Sequence, residues 1–157
     1  TLKFNELRDL AAEMSAFNEG NPALDFKYPN TLGDSISLSD FKGSLVYVDV
    51  WATWCGPCKR EIPHLLELEE AYHNKNIVFL SVSVDEEKDR DAWLAMLEEK
   101  QMGGVQLFAS GWSKITKDYK INGIPRFMLF DSNGNIINVR APRPSNPAIR
   151  TLIDQYL

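Results

Sequence analysis

The only two cysteines of the chain, Cys55 and Cys58, lie three positions apart in the stretch VDVWATWCGPCKREIP, residues 48 to 63. Thiol–disulfide exchange needs one thiolate that attacks a disulfide and a second thiol close enough to resolve the mixed disulfide. A bridge that closes so short a loop removes little entropy from the unfolded chain, so it is a poor structural staple. The spacing therefore favours redox chemistry over stabilisation.

The elements on either side of the cysteines place them at the start of a helix. LVYVDVWA, residues 45–52, is apolar on both alternating faces and predicts a central strand, and residues 55 to about 73 predict a helix. Unpaired N–H groups and the positive dipole end at a helix N-terminus stabilise an anion. We therefore predict a pKa of roughly 3.5–7.5 for Cys55. Cys58, one turn further in, is expected to be less exposed.

The residues between and after the cysteines fit the same chemistry. Gly56 allows another backbone to approach closely, and Pro57 suits a first helical turn. Lys59 and Arg60 add positive charge near the thiols. Tethering Cys58 to Cys55 makes the resolving step intramolecular and gives it a large effective concentration.

Two carboxylates near the cysteines are candidates for proton transfer. Asp49 interrupts the apolar strand, where burial would raise its pKa, and it could take the proton from Cys58. An aspartate at a strand edge that reaches solvent is an equal alternative. Glu61 follows Cys58 by three residues on the same helical face, where it either shares the proton handling or is a solvated helix acid.

A metal site is disfavoured by the supply of ligands. Structural zinc takes four ligands, and the chain offers one cysteine pair and two histidines, His64 and His73, at no ligand spacing from it. Both histidines are expected on the helix that follows the cysteines, His64 partly exposed and His73 near the helix C-terminus. No metal and no cofactor other than the Cys55–Cys58 disulfide is expected.

Length and charge restrict the class of protein. A chain of 157 residues fits one domain with its own core, and its net charge of −5 offers no basic stripe for nucleic acid. No apolar run reaches the length of a membrane span, and the first residues contain no signal-peptide h-region. Because the chain begins at Thr1 rather than Met, we expect it to be a processed or excised piece.

The remaining patterns alternate between helices and strands. An amphipathic helix is predicted before Gly20, a short hairpin and loop over 23–43, a buried strand over 77–84, and a charged helix over 85–101 that buries Trp93, Met96 and Leu97. Further predictions are a strand at 105–109, a helix at 113–121, a hairpin turning at Asn133-Gly134, and a last helix capped by Ser145 or Asn146 with Pro147 in its first turn. This order predicts an α/β sandwich with a mixed sheet and helices on both faces.

VDVWATWCGPCKREIP resembles the active-site segment of thioredoxins, and INGIPRFMLFDSNGNII resembles the cis-proline loop and hairpin of that family. GNPALDFKYPNTLGDSISLSDFKGSLVYV resembles the start of redoxin domains, so the likeness runs from about residue 21 to the end. The helical stretch between Val84 and Val105 resembles the insertion of the exported bacterial TlpA/ResA-like thiol–disulfide oxidoreductases.

The resemblance implies a thioredoxin-like three-layer α/β/α sandwich. The domain would span residues 21–157 and contain a helical insertion around 85–104. Residues 1–20 would be an N-terminal helical extension, or a link to a preceding domain or a membrane anchor outside this chain.

The resemblance also implies roles for particular residues. Cys55 would be the nucleophile and Cys58 the resolving cysteine. Pro125 would follow a cis peptide, and the backbone of Ile124 would pair with a substrate strand. Trp54 would flank the exposed cysteine and, with Gly56 and Pro57, contact the substrate, whereas Trp51 would fill the core.

Three further positions follow from the same comparison. Asp49 matches the buried aspartate of thioredoxins, and Glu61 matches the acid after the motif in ResA-like proteins. Thioredoxins commonly place a lysine opposite the aspartate, but IVFLSVSV has none. Arg126, directly after Pro125, is expected either to favour an acidic partner or simply to be exposed.

The implied function is reduction of protein disulfides through the CGPC dithiol by way of a mixed disulfide. An upstream electron donor would recycle the enzyme, which is expected to be a monomer in the bacterial periplasm or cell envelope. There it would serve redox homeostasis and substrates such as apocytochromes c. The alternatives are a thiol peroxidase of the redoxin type, although the threonine-before-cysteine pattern is missing around Cys55, and a non-catalytic binding module with a permanent disulfide.

Overall fold

The computed structural model describes residues 17–157. The amphipathic helix predicted before Gly20 falls almost entirely on residues outside this range, and of that segment only residues from Phe17 onward are described. Phe17 is half-buried, and its ring stacks on that of Tyr119 with centroids 5.9 Å apart.

The described chain begins with the predicted hairpin and continues into a five-stranded sheet. The hairpin pairs two short antiparallel strands, β1 (Lys27–Pro29) and β2 (Ser35–Ser37). The sheet has the spatial order β5-β4-β3-β6-β7. Its strands are β3 (Leu45–Trp51), β4 (Ile77–Ser83), β5 (Val105–Phe108), β6 (Arg126–Phe130) and β7 (Ile136–Asn138).

The directions of the strands bring several chain ends to one edge of the sheet. Strands β3, β4 and β5 are mutually parallel, whereas β6 runs antiparallel to β3 and to β7. The carboxyl ends of β3, β4 and β5 therefore meet the amino end of β6. Strand β3 is buried at every position, as its continuous apolar pattern predicts for a central strand.

Helices cover both faces of the sheet, as predicted. They are α1 (Gly56–Ala71), α2 (Arg90–Glu99), α3 (Lys114–Asp118) and α4 (Ala148–Asp154). One core cluster joins α1 and α4 to Tyr47 and Phe127, and the other joins α2 and α3 to Val48 and Met128. This alternation follows from side chains of a strand pointing to opposite faces. None of the helices within residues 17–157 is long and apolar enough to cross a membrane.

The predicted insertion and hairpin form with small differences. The charged segment after β4 starts as a 3-10 turn (Glu87–Asp89) and becomes helical at Arg90. Trp93 and Leu97 are buried, whereas Met96 is only half-buried. The chain reverses between β6 and β7 at Asn133-Gly134, where Gly134 has a φ of +82°, a left-handed conformation that glycine adopts readily.

The start of the last helix differs by one residue from the prediction. Helix α4 begins at Ala148, so Pro147 immediately precedes it rather than lying in its first turn. Of the two predicted caps, Asn146 acts locally, because its Oδ1 accepts a hydrogen bond from the Ala148 N–H. Ser145 is engaged elsewhere, on Glu61.

Candidate active site

Cys55 and Cys58 form a disulfide at the amino end of α1, with their Cα atoms 5.2 Å apart. Cys55 is the residue that caps the helix, and the Cys58 N–H points at the Cys55 sulfur at 3.2 Å. Pro57 occupies the first turn and needs no hydrogen-bond partner there. An N–H at a helix N-terminus stabilises a thiolate at Cys55 once the disulfide is reduced.

The expected difference in exposure between the two cysteines is nearly absent. Cys55 is 5% exposed and Cys58 4% exposed, because both pack into the core cluster on the α2 and α3 side. The groups around them are more open. Trp54 is 58% exposed, Pro57 is exposed and Gly56 is half-buried, so these three residues border the approach to Cys55.

The loop before β6 reaches the disulfide from the other side. The Ile124–Pro125 peptide is cis, and the carbonyl oxygen of Ile124 lies 3.7 Å from the Cys55 sulfur. Asn122 and Gly123 are exposed, and Ile124 and Pro125 are half-buried. A polar backbone group at an open edge is therefore in contact with the sulfur that the sequence predicts to be the nucleophile.

Asp49 is buried in the centre of β3, so the alternative of a solvated strand-end aspartate is wrong. It lies directly opposite Ser81 on β4, whose hydroxyl donates to Asp49 Oδ1 at 2.5 Å. Desolvation raises the pKa of Asp49 to about 7, against a smaller lowering by the Ser81 hydrogen bond. Ser81 therefore occupies the position opposite Asp49, where thioredoxins commonly place a lysine.

Glu61 is also buried, so the alternative of a solvated helix acid is wrong. Its two carboxylate oxygens accept hydrogen bonds from the backbone N–H and the hydroxyl of Ser145. A small cavity of about 10 Å³ has Asp49, Cys58 and Glu61 in its wall, together with Trp51 and Pro125. The structure therefore brings both predicted carboxylates to one cavity with the predicted resolving cysteine.

Sequence reasoning missed a buried acid that holds the loop before Cys55. Asp85 is fully buried just after β4. Its carboxylate accepts hydrogen bonds from the N–H and hydroxyl of Thr53 and from the hydroxyl of Ser83. One signal was available in the sequence. Asp85 is an acid directly after the strand predicted over 77–84, and the carboxyl ends of parallel strands meet at one edge of a sheet. Ser145 carried no such signal, because it lies 84 residues from Glu61.

The prediction for Arg126 is wrong. Arg126 is the first residue of β6 and only 7% exposed, because this strand is covered on both faces. Its Nη1 donates to the carbonyl oxygen of Val139 at 3.3 Å, and burial lowers the pKa of its guanidinium to about 10. It is therefore not presented to an acidic partner.

The two histidines lie on the surface, away from the cavity that contains Cys58. His64 is exposed on α1, and His73 is exposed just past the end of that helix, where its Nδ1 lies 2.9 Å from the Glu70 carbonyl oxygen. In the part of the chain that the structure describes, no three His, Cys, Asp or Glu side chains are grouped to hold a metal ion.

The assembled groups can perform thiol–disulfide exchange. A sulfur lies at a helix N-terminus with an N–H directed at it, and a second sulfur lies within bonding distance. Two carboxylates border the cavity on the side of the second sulfur.

Comparison with known proteins agrees with this chemistry. A sequence model of the redoxin family matches residues 18–153. The thiol-disulfide oxidoreductase ResA of Geobacillus kaustophilus is 29% identical over 126 residues, which are 79% of this chain and 70% of that protein.

Solved structures have the same fold. A Bacteroides vulgatus protein assigned to the thiol-disulfide oxidoreductases superposes with a TM-score of 0.82 at 40% identity, covering 91% of this chain and 99% of that one. A Chlorobium tepidum protein assigned as the thiol:disulfide interchange protein DsbE gives 0.74 at 27% identity, covering 89% and 95%. These neighbours confirm the predicted thioredoxin-like α/β fold.

Proposed function

The chain belongs to the redoxin family and is a thiol–disulfide oxidoreductase, and from that premise we propose that it reduces disulfides of protein substrates. The observation that carries the proposal is the position of the Cys55 sulfur, which accepts the Cys58 N–H at the start of α1 and touches the Ile124 carbonyl at an open edge.

The reaction starts from the reduced dithiol. The Cys55 thiolate attacks one sulfur of the substrate disulfide, forms a mixed disulfide and releases the other substrate sulfur as a thiolate, which takes up a proton. The Cys58 thiolate then attacks the Cys55 sulfur and expels the second substrate thiolate. The products are the Cys55–Cys58 disulfide and two substrate thiols, so two electrons pass to the substrate.

Asp49 and Glu61 act on the proton of Cys58 in this proposal. Asp49 accepts that proton when Cys58 becomes the attacking group, directly or through one water in the shared cavity. A carboxylate with a pKa of about 7 is suited to exchange protons at neutral pH. The wall that Asp49, Glu61 and Cys58 share supports this assignment.

In this proposal the residues around the Cys55 sulfur contact the substrate. The exposed indole of Trp54 and the backbone of Gly56 and Pro57 line one side, and Ile124 and Pro125 line the other. An extended substrate segment pairs with the exposed backbone before Pro125, as in addition of a strand to an edge.

The resemblance to ResA and DsbE supports a proposal for the setting of the reaction. We place the protein, as a monomer, in the bacterial cell envelope, where an upstream donor must return electrons to the disulfide and where apocytochromes c are candidate substrates. In this proposal residues 21–157 are the redox domain, and residues 1–20 are either an N-terminal extension of it or a linker.

The test combines an insulin-reduction assay with trapping of the mixed disulfide. The reduced protein should reduce insulin disulfides with dithiothreitol as the electron source, and Cys55→Ser should abolish this activity. Cys58→Ser should accumulate a mixed disulfide through Cys55, seen by mass spectrometry and released by reductant. The double variant should trap nothing.

Other results would select the alternatives. Consumption of hydrogen peroxide without insulin reduction would indicate the thiol peroxidase. A disulfide that does not equilibrate with glutathione would indicate the binding module. A reduction potential near −120 mV instead of about −270 mV would make the protein a disulfide donor.

A further inference from the structure

One serine from a distant part of the chain holds both oxygens of the Glu61 carboxylate. The Ser145 N–H donates to Glu61 Oε1 at 3.0 Å, and the Ser145 hydroxyl donates to Oε2 at 2.8 Å. Hydrogen bonds to a charged acceptor are stronger than neutral ones. A carboxylate held at both oxygens by one residue has a defined orientation.

The loop that carries Ser145 is fixed by contacts that do not involve Glu61. The Tyr47 hydroxyl donates to the Pro142 carbonyl oxygen at 2.7 Å. The Asn146 N–H donates to the Arg143 carbonyl oxygen at 3.0 Å, and the Asn146 side chain caps α4. The loop therefore keeps its position without Glu61, and loss of the Ser145 hydroxyl should free Glu61 Oε2 while the backbone N–H still holds Oε1.

The carboxylate fixed in this way stands on the wall of the cavity that contains Cys58. Among the described residues, three titratable groups line this cavity: Asp49 from β3, and Cys58 and Glu61 from α1. Tyr47 of β3 lies within electrostatic reach of both carboxylates, which help to raise its pKa. Side chains that do not titrate come from Phe127 of β6, from Pro125 just before it and from Met102 in the loop between α2 and β5.

We propose that Ser145 is a positioning residue of the redox reaction, which holds the Glu61 carboxylate against the cavity and thereby disfavours the Cys58 thiolate. A fixed negative charge opposes the formation of a second one nearby, so an anion in this position keeps the resolving thiol protonated. This inference deepens the proposed function, on which it rests for the role of Cys58 as resolving thiol.

The effect is measured on the full chain with Cys55→Ala, which leaves Cys58 as the only thiol and avoids coupled titration. The pKa of Cys58 is read from its alkylation rate by iodoacetamide against pH. Adding Ser145→Ala should lower this pKa by about half a unit to one unit, because the carboxylate keeps only one of its two hydrogen bonds and is held less firmly near the thiol. Glu61→Gln should lower it at least as much.

The chain offers a matched control for the serine. Ser39 holds Asp25 in the same two-point way, with its N–H on Oδ1 at 3.0 Å and its hydroxyl on Oδ2 at 2.7 Å. That pair lines a cavity with Val46 and Phe130, at the edge of the sheet opposite the cysteines. Ser39→Ala should leave the alkylation profile unchanged, and Ser145→Thr, which keeps the hydroxyl, should restore it.

A further variant tests whether Ser145 acts through Glu61. In the Glu61→Gln background, Ser145→Ala should produce no further shift. An unchanged profile in Ser145→Ala, an equal shift in Ser39→Ala, or a full additional shift in the Glu61→Gln background would each overturn the proposal. The alkylation profile does not depend on catalysis, so failure of the wild type to reduce insulin would instead overturn the proposed function.

Discussion

Asp49 and Ser81 face each other across the parallel strands β3 and β4, and the Ser81 hydroxyl is the hydrogen-bond donor to the Asp49 carboxyl group. One hydroxyl replaces only part of the hydration that an aspartate loses on burial. The carboxyl group is therefore held partly protonated near neutral pH, with a pKa raised to about 7.

Asp49→Asn should change how stability depends on pH. A folded-state pKa of about 7 against 3.8 in the unfolded chain means that the stabilising contribution is complete below pH 4 and is lost as pH rises through 7. Over this window the wild type should lose up to about 4 kcal/mol more unfolding free energy than Asp49→Asn, which keeps the contribution of Glu69, a second carboxyl group whose pKa burial raises to about 7. Urea unfolding at pH 4, 5.5, 7 and 8.5 measures the difference.

The control for Asp49 is an exposed aspartate that is also bonded to a serine. Asp25 accepts the Ser39 hydroxyl at 2.7 Å, and Asp25→Asn should retain the pH dependence of the wild type. Parallel curves for Asp49→Asn and the wild type would show that Asp49 is ionised throughout the folded state. That result would also remove its proposed role as acceptor of the Cys58 proton.

Thr53→Val should slow disulfide exchange by at least about tenfold, because Asp85 fixes the loop that carries Trp54 and Cys55 through Thr53. Removing the hydroxyl also leaves a buried carboxylate with one donor fewer, at a cost of about 1–3 kcal/mol. Thr116→Val is the matched control, since Thr116 is buried and its hydroxyl bonds the Ser113 backbone. Insulin turnover and urea unfolding are measured on both variants, and equal rates would contradict a positioning role for Asp85.

The sequence was most informative where the contacts are local or the residue pattern is repeated. The burial of β3, the start of α1 at the cysteines and the turn at Gly134 depend on neighbouring residues, and they were predicted. The cis peptide before Pro125 came from the resemblance to thioredoxins.

The remaining features depend on residues that meet only in the folded chain. Glu61 is paired with Ser145 across 84 residues, and Thr53 with Asp85 across 32. Arg126 was expected at the surface because it is charged, but both faces of β6 are covered and a backbone carbonyl accepts its hydrogen bond. Such pairings leave no periodic signal in the sequence, because each joins only two residues that lie far apart along the chain.

Gly104→Ala should destabilise the protein by about 2 kcal/mol or more. Gly104 has a φ of +68°, and a Cβ there would lie 2.6 Å from the backbone oxygen of Phe79 on the neighbouring strand. Gly33→Ala separates the strained backbone conformation from the steric clash, since Gly33 has a φ of +87° with open space around it. This substitution should cost about 1 kcal/mol. Equal losses in urea unfolding would show that β5 shifts freely away from β4.

Trp54→Ala should impair protein substrates selectively. The indole is 58% exposed beside Cys55, so its loss should change the unfolding free energy by less than about 0.5 kcal/mol. Loss of an aromatic contact should lower kcat/KM for insulin by about tenfold. Turnover of a small disulfide such as hydroxyethyl disulfide should stay unchanged, because the thiols are untouched.

Trp112→Ala is the aromatic control for Trp54, because Trp112 is 51% exposed and lies after β5 in a cavity that is lined by residues as far as Asn122 but not by either cysteine. It should leave both substrates unaffected. An equal loss of kcat/KM for insulin in both variants would mean that the substrate covers a surface extending to Trp112. An equal loss for both disulfides in Trp54→Ala would mean that the indole acts on Cys55 itself, through its environment, and not on the bound polypeptide.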